Sequence, residues 1–153
     1  MFVIAAAVLA ASASTWAFVA RAGGGAADQA LPAVTTYKDP NCGCCTLWVR
    51  HMQSAGFDVT VQETSDMAAV HARFGVAPHL QGCHTSVIGD YVVEGHVPAD
   101  DIKRLLVEKP SVRGIAVPGM PLGSPGMEQG GVAHAYSTLA FDEQGRTEVF
   151  ARH

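Results

Sequence analysis

The chain reads as a mixed α/β domain. Three observations lead there: short period-two apolar runs alternate with runs of helical period, glycine and proline punctuate them, and a cysteine cluster sits where the first strand would give way to the first helix. The 153 residues are 48% apolar and 16% charged, enough apolar material for one core and too much for a disordered chain. With 10 Lys+Arg against 14 Asp+Glu the formal charge is −4, which leaves no basic footprint for a nucleic acid.

Residues 33–37 are β-prone and Asp39-Pro40-Asn41 closes them. Cys44, Leu47, Trp48, His51, Met52 and Ala55 then recur at helical period on one face, with Asp39 or Asn41 as the expected cap and Gly56 as the stop. Residues 57–61 alternate like a half-buried strand, and 66–74 return to helical period before Gly75. Gly89-Asp90 joins strands 85–88 and 91–94 in a tight hairpin. Pro98 opens a helix over 99–107 that turns Ile102, Leu105 and Leu106 inward. Residues 110–128, dense in Pro and Gly, read as a loop wrapped over something, and 136–141 with 147–151 form a last hairpin. The order is β-α-β-α-β-β-α, then the loop and the hairpin. A strand, a cysteine cluster at a helix mouth and βαββα is the layout of a thioredoxin-like domain.

The N-terminus stands apart. Phe2 to Ala20 carries no charge and Arg21 follows, a stretch long enough to cross about 30 Å of hydrocarbon. Ala11-Ser12-Ala13 and Ala20-Arg21-Ala22 offer small-x-small cleavage sites, although a basic leading region is missing. Residues 1–22 are therefore expected to be an export signal or an uncleaved membrane anchor. Residues 23–32 form a linker and 33–153 the folded domain. Membrane contact is expected only if that first segment is retained.

Chemistry concentrates in sulfur. Cys42-Gly43-Cys44-Cys45 contains a C-x-x-C at a helix N-terminus, whose free N–H groups and partial positive charge favour thiolate. Thiolates serve equally as redox nucleophiles and as soft metal ligands, so three functions stay open. The Cys42/Cys45 pair suits a thiol–disulfide oxidoreductase, but a third adjacent thiol invites scrambled pairing. Zinc or iron–sulfur binding meets the ligand count without the usual spacings. Adjacent Cys44 and Cys45 diverge by about 100° on a helix, which suits sulfurs bridging several ions better than chelation of one. Cu(I) is the ion most favoured by thiolate and thioether ligands. The plainer alternative is buried structural cysteine or one stabilising disulfide.

Cys83 supplies a fourth sulfur from the segment before the third strand, with His84 beside it as ligand or ligand support. Met120 and Met127 lie in the Pro/Gly-rich loop with no helical face to fill, which makes them candidate thioether ligands. Met52, Met67 and His51 have the spacing of core residues, and Trp48 reads as a core anchor. His71, His79, His96, His134 and His153 show no mutual helical spacing and read as background.

Tyr37-Lys38-Asp39-Pro40-Asn41-Cys42-Gly43-Cys44-Cys45-Thr46-Leu47-Trp48, Cys83-His84-Thr85, Tyr91-Val92-Val93-Glu94-Gly95-His96-Val97-Pro98 and the Met-bearing Gly119-Met120-Pro121 and Gly126-Met127-Glu128 resemble the family that includes the CopG copper-resistance proteins. The likeness runs from about Thr35 to Glu128. It implies a thioredoxin-like fold in the bacterial periplasm. Several Cu(I) ions would be held there by Cys42, Cys44, Cys45 and Cys83, with Met120, Met127 and His84 as further ligands. It also implies a part in copper tolerance beside an efflux or carrier protein, and a copper oxidoreductase activity has been suggested for the family.

Overall fold

The computed structural model describes residues 30–153; the segment 1–22 and most of the linker lie outside them. The chain forms β1 (Val34–Lys38), α1 (Gly43–Ser54), β2 (Val59–Glu63), α2 (Met67–Phe74), β3 (His84–Ile88), β4 (Tyr91–Gly95), α3 (Ala99–Glu108), β5 (Gly114–Val117), β6 (Ser137–Phe141) and β7 (Thr147–Arg152). A single 3-10 turn, Pro78–Leu80, precedes β3. All seven strands make one sheet in the order β2-β1-β3-β4-β5-β6-β7. β1 runs parallel to β2 and β4 to β5, and the other neighbours are antiparallel.

Strand alternation splits the core in two. Val93 and Ile115 face a cluster with Trp48, Val49 and Met52 of α1 and Ile102 and Leu105 of α3. Their neighbours Val92 and Ala116 face the opposite side, packing with Val76, Leu80 and Phe141, against which Phe74 of α2 rests. Helices thus cover both faces of a mixed sheet.

Three local expectations are corrected. The cap of α1 is Cys42 itself, whose Sγ accepts the Cys45 N–H at 3.3 Å; Asp39 instead accepts from Asn41 N–H in the preceding turn. The inward face of α1 is Cys45, Trp48, Val49 and Met52, which rotates Leu47 out to 49% exposure and leaves Cys44 half-buried. The stretch 110–128 is not all loop, because β5 fills the space between β4 and β6 with all four of its residues buried. Gly114 admits this pairing: a Cβ there would overlap the Val92 carbonyl. α3 has no side-chain cap of its own, and His51 of α1 accepts the Ala99 N–H through Nε2 at 3.0 Å.

Candidate metal centre

The end of β1, the start of β3 and the end of β4 lie together, since Lys38 pairs with His84 and Thr85 with Glu94 across the antiparallel ladders. The turn after β1 leads into α1 and delivers Cys42, Cys44 and Cys45; Cys83 and His84 open β3; His96 follows β4. Two glycines allow the close approach. A Cβ on Gly82 would stand 2.9 Å from Gly95 Cα, and Gly95 takes a φ of +70° against the Val117 carbonyl. Glu94, fully buried, ties the segment down: Oε1 accepts from Gly82 N–H at 2.7 Å and Oε2 from the Thr85 hydroxyl at 2.6 Å. His71 from α2, read as background in the sequence, completes this anchor with Nε2 at 3.1 Å from Glu94 Oε1.

The four sulfurs converge, all lying within 4.8 Å of one another. Cys42 and Cys45 are joined as a disulfide with Cα atoms 5.4 Å apart, while Cys44 and Cys83 are free thiols. The Cys44 thiol lies 3.5 Å from Cys42 Sγ. Burial, with the Cys44 sulfur close by, pushes the Cys83 thiol up to about 12, so it holds its proton near neutrality until a cation displaces it.

Cys83 is also flanked by nitrogen. Its Sγ lies 3.4 Å from His84 Nδ1 and 3.0 Å from His96 Nε2, and the donor atoms of these three residues fall within 4.8 Å of one another. The His96 ring is fixed by its other nitrogen, with Nδ1 2.7 Å from the Pro125 carbonyl. His84 packs on Trp48 with centroids 4.5 Å apart, and its Nε2 is the one buried side-chain N or O atom among the described residues with no partner. Burial holds both imidazoles below the ordinary histidine range, so they stay neutral and keep lone pairs. His96 escaped the sequence reading because it shares no helical spacing with another ligand; strand pairing brings it to Cys83.

The Pro/Gly loop lies over the first turn of α1. A Cβ on Gly126 would stand 2.8 Å from both the Cys44 carbonyl and Trp48 N. Met127, next in sequence, is half-buried, whereas Met120 is 41% exposed with a positive φ of 49°.

Sulfur and imidazole at one helix mouth make this an α/β protein whose cysteine cluster is competent to hold a metal ion. Residues 80–127 match the model of a family described as protein of unknown function, DUF411. Two solved structures, of a copper resistance protein CopG in forms 1 and 2, share 45% and 44% identity with a TM-score of 0.76 each. Each alignment covers 80% of this chain and 98% of the other. A comparison with curated proteins finds no match. The chain belongs to the CopG-type copper-resistance family, of which the DUF411 model covers the central part.

Proposed function

We propose that this protein is a periplasmic copper-resistance protein. It takes Cu(I) as cargo into a multinuclear thiolate site built from Cys42, Cys44, Cys45 and Cys83, with His84, Met127 and Met120 as supplementary ligands. The observation that carries this reading is the meeting of four sulfurs from two distant segments within 4.8 Å. Soft sulfur donors favour Cu(I), and His84 Nδ1, 3.4 Å from Cys83 Sγ, adds an imidazole donor beside them. The order β2-β1-β3-β4, with helices on both faces, supports a thioredoxin-like core extended by β5 and the last hairpin.

In this reading the disulfide is the oxidised state. Two Cu(II) ions each accept one electron as the Cys42 and Cys45 thiolates join, yielding two Cu(I) and one disulfide; reopening it draws two electrons from an external reductant. The segment 1–22 serves export or anchoring, and an efflux or carrier protein receives the copper.

The test is a Cu(I) titration of the reduced, metal-free protein against a competing chelator. More than one Cu(I) per chain is expected, with the number lowered by Cys44→Ser and by Cys83→Ser. One ion bound unchanged in both variants refutes the shared cluster. A second reading, thiol–disulfide oxidoreductase, is favoured by the closed Cys42–Cys45 pair at a helix N-terminus. Disulfide reduction by the metal-free protein that survives Cys83→Ser is its signature.

A further inference from the structure

Closing the Cys42–Cys45 disulfide takes two sulfurs out of the donor set, because a disulfide sulfur carries no charge and is a poor ligand. It leaves untouched the other end of the cluster, where Cys83 stands between two imidazoles. We infer that Cys83, His84 and His96 form a mixed sulfur–nitrogen metal site of their own, which keeps one ion bound while the disulfide is closed.

Three independent features support it. First, the tautomer of His96 is set: a carbonyl oxygen 2.7 Å away can only accept, so Nδ1 carries the proton and the Nε2 lone pair faces Cys83 Sγ at 3.0 Å. A ligating histidine whose other ring N–H donates to a backbone carbonyl is the usual outer-shell arrangement at metal sites. Second, His84 is fully buried and turns Nδ1 to Cys83 Sγ at 3.4 Å, so a second imidazole nitrogen stands beside the same sulfur. Third, the segment is rigidly held from behind, since Glu94 grips the backbone on one side of Cys83 and the Thr85 hydroxyl on the other.

One thiolate and two imidazoles suit a borderline ion better than a purely sulfur-bound one. Cys83 is common to this trio and to the four-sulfur group, so it joins a soft end to a harder one. The identification of the ion as copper rests on the function proposed above; the existence of the site does not.

The test uses the full chain in its disulfide form, verified by two titratable thiols, with Co(II) as an optical probe under anaerobic conditions. One Co(II) per chain is expected, with a thiolate-to-cobalt charge-transfer band. Cys83→Ser abolishes that band, His96→Gln weakens binding about tenfold or more, and Cys44→Ser leaves the ion in place. In the unmutated protein, Co(II) should shield Cys83 from alkylation and leave Cys44 reactive, a measurement that needs no variant to fold. Absence of Co(II) binding, equal alkylation of Cys83 with and without metal, or dependence on Cys44 instead of His96 overturns the inference. Failure of the four-thiolate reading would appear separately, in the Cu(I) count of the reduced protein.

Discussion

Glu94 is a carboxylate with no solvent exposure, and the surrounding donors make that tolerable: a backbone N–H, a hydroxyl and the His71 ring all meet it. Glu94→Gln replaces an accepting oxygen by a donating amide, so at least one of these donors loses its acceptor. A loss of about 1–3 kcal/mol in denaturant unfolding of the metal-free protein is expected, together with weaker metal binding, because Gly82 and Cys83 are no longer fixed. His51 makes a different prediction. It accepts the Ala99 N–H only when neutral, and burial holds its pKa below the ordinary histidine value of 6.5. The unfolded chain therefore takes up a proton before the folded one does. The contribution is complete above pH 6.5 and is lost as the pH falls through the depressed folded value. His51→Gln should flatten the acid side of the stability profile measured by denaturant midpoints, relative to the unmutated protein.

Elements carry the next level of the design, and the loop over α1 is the clearest case. Gly126 combines a φ of +85° with backbone on two sides, so Gly126→Ala must lift the loop away from Cys44 and Trp48. The expected result is a loss of about 1–3 kcal/mol and faster proteolysis within 118–128, with helix content unchanged by circular dichroism. What the sequence disclosed follows the same division. The helices and hairpins declared themselves through period and turn residues, and the cysteines through crowding and softness. β5 stayed hidden because its short apolar run lies amid Pro and Gly, and only pairing on both sides makes it a strand. The cap on α1 stayed hidden because sulfur is an uncommon acceptor for it. His96 and His71 were illegible for one reason: each meets its partner only through tertiary contact, His96 beside the β3–β4 pair and His71 from α2 onto β4, at separations of 13 and 23 residues that leave no local pattern.

At the scale of the molecule, β5 joins two halves, β1–β4 with the candidate site and the β6–β7 hairpin. Hydrogen exchange should be slowest in β4 and β5 and fastest in the edge strands β2 and β7, whose side chains are mostly exposed or half-buried. Gly114→Val, which drives a side chain into the Val92 carbonyl, should loosen the hairpin and β5 together in that measurement. The C-terminus is fastened as well: His153 Nε2 lies 2.9 Å from Asp101 Oδ2, and its ring stacks on Tyr136.

The sulfurs of Cys45 and Cys83 come within 4.8 Å of each other across 38 positions of chain, and imidazole meets the covering loop across 29. A nascent polypeptide has none of these encounters; it presents only neighbouring thiols on a string. The full basket exists only once β1, β3 and β4 have paired and the stretch around Pro125 lies over α1, so an ion held there would report that this half of the sheet has formed, whatever the state of the β6–β7 hairpin.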